Sequence, residues 1–433
     1  MTGLLIRGRI LTFVDEPRDI ADTNSYRYFE DGALLVEDGR IKAVGEYRDV
    51  AQTAGADTPI ADHRPHLVLA GLIDAHIHFP QMQAVASYAG QLLEWLNTYT
   101  FVEEQKFADE QHAQFVAERF MDELLRHGTT TVAAYCSVHP QSVDAFFRAA
   151  RHRNMRVVGG KVMMDRNAPP ALCDTPQSGY DDTKALIARW QGKGRLHYAI
   201  TPRFAITSTP EQMEMAGALV REHPDCYVQT HLSENHEEIA LTHSLYPDAP
   251  DYTGIYEHYG LLGRKTLLGH CIHLSEREMA VMAETGSVAV FCPTSNLFLG
   301  SGLFDREKLH NAGVRIAVAT DIGGGTSFSM LKTLDEAYKV LQLRGQRLSP
   351  LHSFYMMTLG NARALSLEER IGTLQPQTDA DITILDSRAT PAMRMRMDTA
   401  RTLAEELFLL QTMGDDRAVA EVYVAGKPMK KEL

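Results

Sequence analysis

Residues 71–81 read GLIDAHIHFPQ, a short apolar run that closes on two histidines one residue apart, His76 and His78. In an extended strand alternate side chains share a face, so both imidazoles project to one side and can grip a single ion. The chain carries 18 histidines, and an isolated pair at this spacing arises by chance in many proteins. The meaning of the pair therefore rests on its surroundings.

Outward from that run, short apolar segments alternate with helical patterns, the mark of repeated βα units around a parallel sheet. From residue 66 the segments are HLVLAGLIDAHIH, TTTVAAYC, RVVGGKVMMD, LHYAITPRF, CYVQTHLSEN, TLLGHC, SVAVFCPTSN and RIAVATDIGG. Each is rich in Val, Ile, Leu or Ala and ends in polar or glycine residues. Eight such units predict an α/β fold, a closed (β/α)8 TIM-like barrel. The helices between them carry their own punctuation. Ala113, Val116, Ala117, Phe120, Met121 and Leu124 form an apolar stripe ahead of the second strand, with Gly128 as its stop. Thr209 and Pro210 with Gln212, and Ser275 with Glu278, read as capping boxes that start helices after the fourth and sixth strands.

The two chain ends break this rhythm. LLIRGRILTF and GALLVEDGRIKAVG near the start, and DADITILD and VAEVYVAGKPM near the end, alternate like half-buried antiparallel strands joined at glycine turns. They predict a small β-sandwich domain composed of residues 1–65 plus 371–433, beside a barrel of residues 66–370. The aromatic-rich stretch 87–105 is longer than a usual βα connection. It reads either as a cover folded over the barrel mouth or as an extra packing helix.

Composition narrows the function. With 433 residues, 44% hydrophobic and 23% charged, the chain has the makings of a large core. A net charge of -13 argues against a surface built to neutralise phosphates, so nucleic acid and anionic membrane are not expected partners. No apolar run approaches bilayer-spanning length and the N-terminus does not read as a signal peptide, which predicts a soluble, cytoplasmic protein. The closing KKEL, without a signal peptide, is not usable as a retention address. Five widely spaced cysteines with no CxxC pair suit reduced thiols.

In a (β/α) barrel reactive groups come from the C-terminal ends of different strands. Those ends hold His76 and His78 on the first strand, His231 on the fifth, His270 on the sixth and Asp321 on the eighth. Three or four imidazoles and one carboxylate at one mouth form a metal set with an open position for water, as a catalytic divalent ion such as zinc requires; iron suits the same donors. Such an ion lowers the pKa of its water to about 7. Glu234, three residues beyond His231, sits close enough to shuttle protons.

Taken singly, each residue has another reading. His231 could be a hydrogen-bonded core histidine, His273 competes with His270, and Asp321 could cap the next helix. His270 is preferred because it stands at the strand terminus, and five such residues at strand ends outweigh the separate alternatives. The run Gly323 to Gly325 matches neither a P-loop nor a dinucleotide fingerprint and reads as a tight turn. His236, Glu237 and Glu238 supply the HxE of zinc-cysteine deaminases, but no PCxxC follows, which excludes that fold.

The HxH pair, the single histidines on strands five and six and the aspartate on strand eight resemble the amidohydrolase superfamily over essentially the whole chain. No lysine closes the fourth segment, and Lys161 lies inside the third, so the carboxylated bridge of binuclear members is missing and one metal per subunit is expected. HIHFPQ, QLLEWLNTYTF, GGKVMMDRNAP, TPRF, THLSEN, FCPTSNLFLGSG and TDIGGGTSFSML resemble the guanine deaminase family more closely. That resemblance implies that Gln81, Arg203 and Phe204 hold the purine, bordered by His231 and Asp321. An amide and a guanidinium suit the edges of a planar polar base, and an aromatic ring suits its face. It further implies attack of activated water on C2 of guanine, with Asp321 taking a proton and Glu234 protonating a ring nitrogen before ammonia leaves. A homodimer is implied as well. Two rivals are a deaminase of another aminated ring, such as a pterin or an oxidised purine, and a catalytically silent assembly barrel.

Overall fold

The computed structural model describes residues 3–88 and 91–430. Eight parallel strands form the barrel: Leu72–His78, Thr129–Tyr135, Arg156–Gly160, Leu196–Pro202, Tyr227–Leu232, Thr266–His270, Val288–Phe291 and Arg315–Val318. The first two are buried at every position, as strands covered on both faces must be, and this is why they read as continuous apolar runs. Small side chains, among them Ala75, Ala133, Ala199 and Ala317, fill the barrel interior with Ile73, Val158 and Leu267. The helix Glu110–Arg126 buries the whole expected stripe, and Gly128 beyond it takes φ +82°. Ser275 and Glu278 form a reciprocal capping box. Thr209 caps its helix only one way: Gln212 supplies the backbone donor, while its own amide is buried without a partner.

The seam between the eighth and first strands is closed by other means than a regular ladder. The Asp321 amide donates to His76 O (3.0 Å) and the His78 amide to Ile322 O (2.6 Å). Deeper down, Asn361 takes the place of a strand. Its Nδ2 donates to Ile73 O (2.7 Å) and Val318 O (2.8 Å), and its Oδ1 accepts from the Val318 amide (2.9 Å). Asp74 adds a further stitch, accepting from the amide (3.1 Å) and the hydroxyl of Thr320. These bonds fix the height of His76 and His78 relative to Asp321.

Both chain ends join one seven-stranded sheet, in the order Lys427–Pro428, Val419–Val424, Ile382–Leu385, Ile60–Ala70, Leu4–Phe13, Tyr26–Glu37, Arg40–Glu46. Asp38 and Gly39, at φ 51° and 75°, make the hairpin turn that DG signals. One pair departs from the antiparallel expectation. Leu4–Phe13 and Ile60–Ala70 run parallel, because the chain returns through a crossover containing two strands and a helix. Ile60–Ala70 passes at Gly71 into the first barrel strand. Buried ion pairs tie sheet to barrel, among them Arg156 with Asp379 (2.6 Å) and Arg195 with Asp381. Among the described residues no helix is long and apolar enough to cross a membrane, and all five cysteines are free thiols.

Asn361→Ala strands one buried amide and two buried carbonyls at the seam. The expected loss is about 3 kcal/mol of stability, read as a lowered denaturant midpoint; a change under about 1 kcal/mol would show that the barrel closes without it.

Candidate active site

The five strand-end residues meet. The ring of His76 lies 4.9 Å from that of His231 and 5.7 Å from that of His270, and His231 lies 5.5 Å from His270. The Nε2 atoms of His78 and His231 are 3.1 Å apart. Asp321 Oδ1 stands 3.3 Å from His76 Nε2 and 3.4 Å from His78 Nε2. His273 takes no part: its Nε2 bonds Ser301 O at 2.9 Å and its ring packs on His236.

The backbone is strained where it delivers these groups. His270 ends its strand at φ 72°, and Asp321, three residues beyond the eighth strand, has φ 53°. Non-glycine residues hold the left-handed region only where the surroundings enforce it, and functional sites are where such strain collects. The glycine run that follows Asp321 is a turn and not a phosphate cradle. A Cβ on Gly325 would sit 1.8 Å from Thr320 O, and one on Gly323 would sit 2.8 Å from Gln81 Cβ.

Burial sets the protonation states. It lowers the pKa of His76 and, with help from neighbouring imidazoles, and at His78 from Arg203 as well, holds His78 and His231 well below the usual histidine value. Neutral imidazoles offer lone pairs, the form a metal needs. His231 Nδ1 is 2.7 Å from Arg203 O, and His270 Nδ1 is 2.9 Å from Asn296 Oδ1. These acceptors keep the proton on Nδ1 and leave Nε2 free to ligate. At His270 burial is outweighed by Glu234 and Asp321, and the pKa rises. Asp321, buried yet surrounded by imidazoles, is brought down to about 2.

Among the described residues His76 Nδ1 has no hydrogen-bond partner and Nε2 meets only Asp321 Oδ1 at 3.3 Å, although the residue is buried. A buried nitrogen without a good partner is costly, and a cation held by the cluster would take up the lone pair of one His76 nitrogen. The ligating atoms of His76, His231 and His270 all lie within 4.8 Å of one another, so the donor set fits a divalent ion. Cys292 falls into a second group with His76 and Asp321, a neighbour that strand position alone did not single out.

Above the cluster opens a small cavity that reaches His78, His231, His270 and Asp321. Gln81, Arg203, Phe204 and Glu234 line it. Ser301 Oγ donates to Glu234 Oε1 at 2.8 Å, and burial raises the pKa of this carboxylate. The stretch 87–105 satisfies both of its readings. Residues 92–105 are helical and packed, and Leu92, Trp95 and Leu96 form a wall of the cavity; Ala89 and Gly90 lie outside the described residues. Sequence reasoning missed Glu104, Asn296 and Ser301. The available signal for Glu104 was an acid two helical turns after Leu96, on the same face as that apolar residue.

A parallel barrel whose mouth gathers imidazoles and a carboxylate beside a slot with a buried acid has the architecture of a hydrolase. The sequence pattern of the Amidohydrolase family matches residues 67–429, and the chain belongs to that family. It is 48% identical to guanine deaminase of Escherichia coli K12 over 414 residues, covering 96% of this chain and 94% of the relative. Among solved structures it is similar to E. coli guanine deaminase, with a TM-score of 0.95, 46% identity and 99% of each chain covered. It is also similar to guanine deaminase of C. acetobutylicum with guanine bound in the active site, with a TM-score of 0.88, 29% identity, and 99% of this chain and 100% of that chain covered.

His270→Ala is expected to lower affinity for a divalent ion by about 100-fold or more, while His273→Ala leaves it unchanged. Metal content of dialysed protein, measured by atomic emission, checks the contrast; equal retention would remove His270 from the ligand set.

Proposed function

We propose that the protein is a guanine deaminase, converting guanine and water to xanthine and ammonia in purine catabolism. The observation that carries this reading is the junction of the imidazole and carboxylate cluster with a slot holding Gln81, Arg203 and Phe204. The identity to E. coli guanine deaminase over nearly the full chain supports it. His76, His78, His231, His270 and Asp321 would hold one divalent ion, zinc by preference and iron as the alternative, which when bound makes water a nucleophile at neutral pH.

The chain's own groups then divide the work. Phe204 stacks on the base, and Gln81 and Arg203 bind its edges. His231 and Asp321 border the reacting carbon, and Asp321 accepts the proton released by the attacking water. Glu234, its pKa raised by burial, gives its proton to a ring nitrogen; Asp321 passes the proton it took from water to the departing amine, and Glu234 recovers a proton from the hydroxyl on C2 as the carbonyl of xanthine forms. Adenine presents another order of donors and acceptors and leaves buried groups unpaired, which disfavours it. The net charge of -13 supports a free base over a nucleic acid as substrate. With this reading go a cytoplasmic homodimer and a division into a catalytic barrel, residues 66–370, and a composite β domain from residues 1–65 plus 371–433.

Purified protein is expected to release one ammonia for each guanine consumed, with xanthine as the other product; turnover of a pterin without guanine would overturn the assignment. Glu234→Gln should keep its metal and lose kcat by about 100-fold or more. A near-normal rate would take Glu234 out of proton transfer.

A further inference from the structure

We infer that Glu104, on the helix Phe101–Gln105 beside the mouth, is the positioning residue that sets the orientation of both Arg203 and Gln81 toward the substrate. Its side chain is 1% exposed. Arg203 Nη1 donates to Glu104 Oε1 (2.9 Å) and Oε2 (2.7 Å), and Gln81 Nε2 donates to Oε1 (2.9 Å). Gln81 Oε1 in turn faces the Gly323 amide at 3.3 Å, so the amide is held from both ends. The guanidinium carbon lies 5.4 Å from the centroid of the Phe101 ring, on the same helix as Glu104. One carboxylate thus fixes two side chains from different strand ends, and it comes from the segment that walls the cavity.

The consequence is chemical selectivity. Among the described residues the remaining guanidinium nitrogens of Arg203, Nε and Nη2, have no protein partner, and Arg203 lines the cavity. Arginine has donors and no acceptor, so the edge it presents takes a carbonyl oxygen or an unprotonated ring nitrogen and repels an amino group. With Glu104 holding Nη1, that donor edge has one orientation. The ligand class selected is a planar oxopurine with its oxo edge toward Arg203. This inference rests on the guanine deaminase reading.

Glu104→Gln keeps the shape but offers one acceptor oxygen where three donor contacts now converge, so Arg203 or Gln81 loses its partner. The test compares wild type, Glu104→Gln, Gln81→Ala and the double variant for kcat, KM for guanine, metal content and melting temperature. Glu104→Gln is expected to raise KM by about tenfold or more, with kcat within about threefold and metal content unchanged. In the Gln81→Ala background the same change should raise KM by a factor smaller by about threefold or more, because one of the groups it positions is already gone. An unchanged KM, or factors that simply multiply, would overturn the inference. If Glu104→Gln does not fold, Glu104→Asp serves: the charge stays but its reach is cut, so a raised KM supports positioning and a normal KM overturns it. Wild type inert toward guanine overturns the functional reading and this inference with it; active wild type with an unaltered Glu104→Gln KM overturns this inference alone.

Discussion

Four imidazoles and a carboxylate share one buried space, and among the described residues His76 finds there no partner for Nδ1 and only Asp321 Oδ1, at 3.3 Å, for Nε2. Ordinary packing does not tolerate such an arrangement, because a buried polar group needs a hydrogen bond, a proton or a cation. Protonation is a poor answer: burial drives His76, His78 and His231 toward the neutral form, and only His270, beside Glu234 and Asp321, moves the other way. A divalent cation answers the whole cluster at once. The left-handed backbone at His270 and Asp321 and the stitching by Asn361 and Asp74 all serve to bring those atoms into one small volume.

The substrate side is built on the opposite principle. Its apolar walls, Trp95, Leu96, Phe204 and Leu299, come from three separate parts of the chain and form one packed cluster with the helical stretch beside the mouth. Polar groups there are few, and each is braced: Glu104 holds Arg203 and Gln81, and Ser301 holds Glu234. Few donors in fixed directions discriminate better than many in loose ones, because a wrong base leaves them unpaired in a dry site. In the proposed mechanism activation of water and recognition of the base fall largely to different residues, with His231 and Asp321 shared between them.

Much of this was legible in the sequence, for a geometric reason. In a βα barrel the order of strands along the chain is their order around the ring, so a polar residue at the end of an apolar run already has a position. The meeting of His76, His78, His231, His270 and Asp321 at one mouth could be read in that way, and His270 is told from His273 by its place at the strand terminus. Residues that act through distant partners were not legible. Glu104 pairs with Arg203 across 99 positions, and Asn361 reaches Ile73 across 288. By residue type each looks like an ordinary polar helix residue. The parallel pairing of Leu4–Phe13 with Ile60–Ala70 was hidden too, since alternation reports which face is buried and not the direction of the neighbouring strand.

The proposed chemistry needs a single activating cation, which histidines from the first, fifth and sixth strands would hold. The most direct test strips the protein of metal with a chelator and titrates zinc back while following conversion of guanine to xanthine. Activity should rise linearly from near zero and break at one equivalent per chain. Full activity in the stripped protein, or a break at two equivalents, would contradict the account.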